Sequence, residues 1–590
     1  MNAPALTPMS LEHLLGRVHH EWSSRRRIFD LPTARIWQPS SDVDLSFEFL
    51  GRPAATPVGP AAGPHSQMAQ NIVLAWLGGS RLFELKTVQV LDELEIARPC
   101  IDMETIGYNI EWSQELSVEA SLEEYVKAWM ILELLKSWPP IVEHLGESPG
   151  SHVFDMSVGY DLAGIQSEKV HSFIRGMRDA SAIIDRLRTQ IPASFDREMH
   201  FPSTVADTVT LSTFHGCPPD EIESITKHLV DEHDVDVIVK LNPTLLGFDR
   251  VDDLVHRTLG YEDVKLVPSA FEEDLQFDRA ISLINELNSY AGQRGHRFGI
   301  KLTNTLVVDN VRGHLPEPTM YLSGPPLHVL AMTLAAELAA ALPGQLMLPG
   351  HDGDIQVSFS AGVNKENIAD TIATGVQPAT ICSDLLKPGG YGRLQPMLRT
   401  LADAIRNDEC NDLETWRTHR LARARRNGHP DVVSEHLNFV TGSRLSLYHI
   451  EGNSKLPRAV DHELQMWGCV ACNFCVTVCP NDAFFKVPSA GVEGLEGRQQ
   501  YLVFSELCNE CGNCMTFCPE SGDPALVKPR LYLEPERFAA SSGTRFLLRA
   551  DGTISGAEGD SAAAAVPLLQ ALLDSDEGLP LAAPVVDVPK

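Results

Sequence analysis

Eight of the twelve cysteines fall between positions 469 and 518. They read Cys469-x2-Cys472-x2-Cys475-x3-Cys479-Pro480 and Cys508-x2-Cys511-x2-Cys514-x3-Cys518-Pro519. This is the ligand spacing of cubane [4Fe–4S] clusters, written twice. The short gaps let one tight loop aim three thiolates at one cube, while the fourth thiolate, before proline, reaches the other cube. One cluster is therefore expected on Cys469, Cys472, Cys475 and Cys518, and the other on Cys508, Cys511, Cys514 and Cys479. Four disulfides are disfavoured in a reducing compartment. Two zinc ions could use the CxxC pairs, but they give no reason for the doubled third and fourth cysteines or for the two prolines. Such clusters move single electrons, so the rest of the chain is expected to use them.

A second chemistry sits at the ends of apolar runs. Lys86 in ELKT, Lys240 in VKLNP and Lys301 in IKLTNT each follow a buried-looking strand. An ammonium at such a place needs a counter-charge or an acceptor, and an anionic cofactor supplies one. Ser360-Ala361-Gly362 and Cys382-Ser383-Asp384 end two later runs, and Ser323-Gly324 opens a helical stretch. Small residues beside helix N-termini are what a phosphate site is built from. Together they point to a phosphorylated cofactor with lysine near its reactive ring. His65 reads more simply as a helix-start residue, and His351-Asp352 as a turn. The arginines between 417 and 426 form either a solvated face or a dock for the acidic body or a partner.

The elements that must carry these residues are a repeat. Eight apolar runs, at 56–63, 82–88, 152–159, 208–216, 235–243, 298–305, 355–363 and 379–384, alternate with helical stretches at 65–77, 119–136, 167–190, 219–233, 275–294, 326–342, 364–374 and 391–406. Eight β–α units with buried, β-branched strands predict an α/β fold, a parallel (β/α)8 barrel whose strand C-termini form the active face. Insertions after the fifth run (about 244–274) and the sixth (about 306–324) lie on that face. An open doubly wound sheet would announce a G-x-G-x-x-G after its first strand; neither that nor a P-loop is present.

The chain has 590 residues, 48 basic and 79 acidic, for a net charge of −31. That acidity argues against nucleic-acid binding and against an anionic membrane surface. No run approaches ~18 apolar residues. The opening lacks the basic and apolar regions of a signal peptide, and the expected location is cytoplasmic. The expected organisation is an N-terminal helical extension (1–50), the barrel (51–406), a helical linker (407–461), a two-cluster domain (462–532) and an acidic, partly mobile tail (533–590) in which Asp551-Gly552 turns a small hairpin.

These residues resemble known families. Residues 462–532 are similar to bacterial two-cluster ferredoxins, an α+β 2[4Fe–4S] domain. Pro57-Val58-Gly59-Pro60-Ala61-Ala62-Gly63, Lys86-Thr87, Lys240-Leu241-Asn242-Pro243, Thr303-Asn304-Thr305 and Ser323-Gly324 resemble the FMN barrel of dihydroorotate and dihydropyrimidine dehydrogenases. An FMN barrel followed by two ferredoxin motifs is also the C-terminal half of dihydropyrimidine dehydrogenase. Through ATPVGPAAGPHSQMAQNIV, ELKTVQ, MSVGYDLAGI and LSTFHGCPPDEI, most of residues 10–530 is similar to the bacterial YgfK-type family named for a selenate reductase subunit.

The resemblance implies FMN held by Gly63, Lys86, Thr87, Lys240, Lys301, Asn304, Ser323, Gly324, Gly362 and Ser383, and Cys217 in His215-Gly216-Cys217-Pro218 as the loop cysteine that handles the proton. Strand three ends Ser157-Val158-Gly159 and Thr213-Phe214 precedes the cysteine, where the pyrimidine enzymes place asparagines. The flavin and nicotinamide module of longer family members is not in this chain, so a separate NAD(P)H-oxidising flavoprotein is the implied partner. The expected activity is an FMN- and iron–sulfur-dependent oxidoreductase, in a homodimer or hetero-oligomer, acting on a small cyclic nitrogenous or unsaturated compound. The alternative is an electron-transfer subunit that relays to a partner reductase or molybdenum enzyme and has no organic substrate.

Overall fold

The computed structural model describes residues 6–573 apart from 92–93, 95, 111–112, 147–148, 214–216, 490, 496, 550–551 and 558–559. The eight barrel strands are β1 (Val58–Pro60), β2 (Leu82–Glu84), β3 (Val153–Val158), β4 (Thr208–Ser212), β5 (Asp236–Leu241), β6 (Phe298–Leu302), β7 (Gln356–Phe359) and β8 (Ala379–Ile381). Each lies within the run expected for it. They form one parallel sheet in sequential order, β2 through β8 and then β1. The seam closes where Arg81 N–H donates to Val58 O at 3.1 Å. Only glycine permits that approach, because a Cβ on Gly59 would stand 1.6 Å from Leu82 O. Valine and isoleucine fill the strands because their branched side chains suit a sheet buried on both faces.

The helices that follow the strands are Ala69–Gly78, Val118–Ser137, Glu168–Arg178 with Ser181–Arg188, Ile222–His233, Phe277–Gln293, Pro325–Ala341, Ile368–Ala373 and Leu394–Asn407. Several open on side-chain caps: Ser117 Oγ accepts from Ala120 N–H, and Ser167 Oγ from Val170 N–H. Ala69–Gly78 is buried at every position, because it is sandwiched rather than solvent-facing.

A four-stranded antiparallel sheet roofs the barrel mouth. Its strands are Leu306–Asp309, Thr319–Leu322, Tyr108–Asn109 and Ile101–Asp102. The insertion after β6 was expected; its pairing with a second insertion after β2, Tyr321 opposite Asn109, was not. Leu413–Arg426 packs back on the barrel, with Arg417 Nε donating to Ile372 O at 2.9 Å and Arg420 paired to Asp370 at 2.6 Å. Part of the arginine run is thus a dock on the acidic body, while Arg425 and Arg426 stay exposed.

The C-terminal sheet runs Phe484–Pro488, Gln499–Phe504, Arg530–Tyr532, Arg545–Leu548 and Ile554–Gly556. The last two strands are the expected hairpin, and they extend the sheet through a parallel pairing of Arg545 with Arg530. Asp551 of its tip and residues 574–590 of the tail lie outside the described residues. No helix among the described residues is long and apolar enough to cross a membrane.

Three contacts weld this sheet and its cysteine loops to the barrel. Arg17, on the N-terminal helix Leu11–Arg25, reaches Asp482 at 2.8 Å, with both side chains buried. Gln67, Gln70 and Asn71 hold Asn481 through amide hydrogen bonds of 3.1–3.2 Å. Tyr391 OH donates to Pro480 O at 2.8 Å.

Candidate active site

The eight cysteines gather as two sets of four. Cys469, Cys472, Cys475 and Cys518 wall one small cavity together with Tyr501, Glu520 and Lys528. The other set is marked by mutual charge effects: burial pushes the Cys514 thiol up, with Asp523, Cys511, Cys508 and Cys479 adding to it. Each set therefore takes its fourth member from the other motif, as the spacing requires. The environments differ. Cys472 is exposed, whereas Cys508, Cys511 and Cys514 are buried. The first set is the outer one.

The inner set touches the barrel roof. Cys511 O accepts from both Cys100 N–H and Ile101 N–H at 3.1 Å. Asn513 Nδ2 donates to Leu386 O at 2.9 Å. Ile101 and Leu386 also wall the large cavity at the C-terminal ends of the barrel strands.

Of the residues singled out from the sequence, Gly63, Lys86, Thr87, Lys240 and Asn304 line this cavity, and so do Ser323, Gly324, Gly362 and Ser383. Gly324 opens the helix Pro325–Ala341 at the cavity. Gly362 has φ +54°, and a Cβ there would stand 2.2 Å from Gly324 O, so the two glycines form one close-packed corner. Asn367 Nδ2 and His328 Nδ1 fix that corner from behind, on Gly362 O at 3.0 Å and Ala361 O at 2.9 Å. Asn304 Nδ2 donates to Asn242 Oδ1 at 2.7 Å. Burial pushes Lys86 down to about 8, against the pull of Glu115.

Two of the singled-out residues lie elsewhere. Lys301 does not reach the cavity: its ammonium lies beneath it, 2.6 Å from Glu84 Oε2, with both side chains sealed from solvent. Cys217 is not on the cavity wall either; it is buried, and burial first, then Glu221, Asp274 and Asp161, push its thiol up to about 12. His215 and Gly216 of its motif lie outside the described residues.

Beneath the cavity the barrel holds a charged layer that sequence reasoning missed. Glu84 on β2 takes Lys301 at 2.6 Å and Lys240 at 3.4 Å. Burial alone would raise Glu84, but Lys240 and Lys301 override it and hold the carboxyl at about 2. Asp155 on β3 accepts from Thr208 and Thr210 at 2.7 and 2.6 Å. A signal existed: Glu84 stands two residues before Lys86 in a run otherwise apolar, and period-two alternation turns both inward.

Burial lifts Asp155 to about 6 despite the two threonine hydrogen bonds. A raised carboxyl favours folding while protonated. Its contribution is full below the ordinary value near 3.8 and is lost as pH rises through about 6. Asp155→Asn should therefore flatten the pH dependence of stability, gaining on the parent protein between pH 4 and pH 8. Thermal midpoints of both proteins across that range check this.

A parallel eight-stranded barrel with a polar cavity at its strand ends, joined to a domain bearing two four-cysteine sets, defines a TIM-barrel protein with an iron–sulfur dicluster domain. Residues 29–430 match the family described as oxidoreductase YgfK, N-terminal TIM-barrel domain, and residues 468–521 match a 4Fe-4S dicluster domain. The chain belongs to the YgfK family. It is 36% identical over 497 residues to the YgfK proteins of Escherichia coli K12 and O157:H7, over 80% of this chain and 45% of theirs, so it spans less than half the length of those relatives. Among solved structures it is similar to DHODH from Eimeria tenella in complex with ferulenol, at 14% identity and a TM-score of 0.40, over 68% of this chain and 93% of that one. The ligand-free form of that protein gives 0.39, over 68% and 97%.

Proposed function

We propose that the chain passes electrons between a separate NAD(P)H-oxidising flavoprotein and a small cyclic nitrogenous or unsaturated compound, by way of its two [4Fe–4S] clusters and FMN in the barrel mouth. The observation that supports this most is the double hydrogen bond from Cys100 and Ile101 to Cys511 O, which sets the inner cluster against the roof of the cavity. The exposed Cys472 makes the outer cluster the point of entry for electrons from a partner.

The residues fit FMN. Thr303 Oγ1 is buried at the cavity without a hydrogen-bond partner, a group that a polar ligand would satisfy. Gly324, Gly362 and Ser383 would hold the phosphate at the glycine corner and the N-terminus of Pro325–Ala341. Lys240, Lys86 and Asn304 would face the ring system. Bound there, FMN would supply a carrier that exchanges hydride with an organic substrate and single electrons with clusters. The chain's own part is to orient and to exclude water. Tyr108, Asn109 and Tyr321 of the roof close over the mouth, and Glu84 anchors the Lys240 ammonium at 3.4 Å.

Anaerobically purified protein should carry about one FMN per chain, measured by release on heating. Lys240→Ala should weaken its retention roughly tenfold or more, the worth of one charge-assisted contact. Protein that contains both clusters yet refuses FMN would sink the flavin reading. Flavin that is reoxidised by a partner protein but by no small molecule would leave the relay role in its place.

A further inference from the structure

Outside the barrel, on the seam between two of its helices, three imidazoles converge. His171 comes from Glu168–Arg178, and His228 and His233 come from Ile222–His233. One ring nitrogen from each lies within 4.8 Å of the others. His171 Nε2 and His228 Nε2 are 3.1 Å apart. Two nitrogens bound tetrahedrally to zinc at about 2.0–2.1 Å stand roughly 3.3–3.4 Å from each other, so the pair is already near the spacing that a metal imposes. The rings of His171 and His233 lie 4.6 Å apart, edge to face.

The third ring is the telling one. His233 is only 3% exposed, and its Nε2 is buried with no hydrogen-bond partner. A polar atom left so costs stability, and a ligand that accepts its lone pair removes that cost. The neighbouring cations are already engaged: Arg175 pairs with Glu168, and Arg178 with Asp234 at 2.9 Å. Arg178 also donates to His233 O at 2.6 Å, which fixes the helix end that carries the ring. Nothing in the cysteine motifs or the cavity uses these three residues.

We propose that His171, His228 and His233 bind one divalent transition-metal ion of the zinc class, with the fourth position open to water between the two half-exposed rings. The ion clamps Glu168–Arg178 to Ile222–His233, the helix that begins just after the Cys217 loop. Its role is structural and independent of the clusters. Sequence spacing gives no hint of it, because His228 and His233 are five apart on their helix and the third ligand is 57 positions away from His228.

Protein with both clusters filled, freed of loose metal, should retain one equivalent of Zn2+ beyond its iron after desalting, and its thermal midpoint should rise on adding Zn2+. His228→Ala, and separately His171→Gln, should lose that zinc and the rise. Their affinity should fall by more than roughly 100-fold, since even partners of a metal ligand are worth 10–100-fold. Equal zinc retention by the parent protein and either folded variant would overturn the site. So would zinc uptake matched by loss of iron and of cluster absorbance, which would place the ion on the cysteines. A parent protein that takes up no zinc overturns it outright.

Discussion

Cys511→Ala should cut the cavity off from the ferredoxin domain while leaving the outer cluster in place. Iron and acid-labile sulfide should fall from about eight of each per chain to about four. Cys511 belongs to the buried set, and its carbonyl is the acceptor that ties the cluster loop to Cys100 and Ile101 in the roof. Electrons given to the outer cluster by a protein donor too large to enter the cavity should then reach a bound flavin only at background rate. Rapid-mixing absorbance under anaerobic conditions measures this. The matched variant Cys472→Ala removes the exposed cluster instead, and it should block entry from a protein donor while a small reductant still reduces the flavin. If Cys511→Ala protein passes electrons to the cavity as fast as the parent, the inner cluster does not lie on the path. Zinc in place of iron in the parent would remove the electron-transfer reading altogether.

Glu84→Ala should be among the most damaging single changes to the barrel. It strands the ammonium groups of Lys301 and Lys240, which stand 2.6 and 3.4 Å from the carboxylate in a nearly sealed interior. Removing one partner of a buried ion pair costs about 3–5 kcal/mol, because the remaining charge has no water to turn to. Glu84→Gln keeps the shape and one acceptor, and its loss should be smaller. The pH dependence has a defined sign. The folded carboxyl sits near 2, below its ordinary 4.5, so its contribution is complete above 4.5 and is lost as pH falls toward 2. Glu84→Ala protein should therefore lose most relative to the parent at neutral pH and least in strong acid. Thermal unfolding followed by far-UV circular dichroism at several pH values tests both statements, and equal midpoints at pH 7 would mean that the lysines find other partners.

What could be read from the sequence follows from how local each signal is. The cluster cysteines are set by spacings of two and three residues, so their sorting into two sets was legible before any fold. The barrel was legible because each strand is a short β-branched run followed by its own helix, and nearly all the residues placed at strand ends do meet at one cavity. The roof was not legible. Its strands Ile101–Asp102 and Tyr108–Asn109 are two residues long and pair with each other, and Tyr108–Asn109 joins Thr319–Leu322, more than 200 positions away. No periodicity survives in two residues. The partner of Lys301 was not legible for a related reason: Glu84 is four barrel strands away along the chain, and only closure of the sheet brings the two together. Cys217 was a loop residue by sequence, and the burial of its own side chain decides its character.

The amide grip on Asn481, the Arg17–Asp482 pair and the tyrosine on Pro480 make the barrel and the ferredoxin domain one body. On the proposed path, the inner cluster would therefore never have to find the cavity by diffusion. Its effective concentration there is fixed by the fold, and added salt has no encounter to screen. On the proposed electron path, sensitivity to ionic strength would belong to the outer end, where a cluster at the exposed Cys472 of a protein of net charge −31 would meet an electron donor.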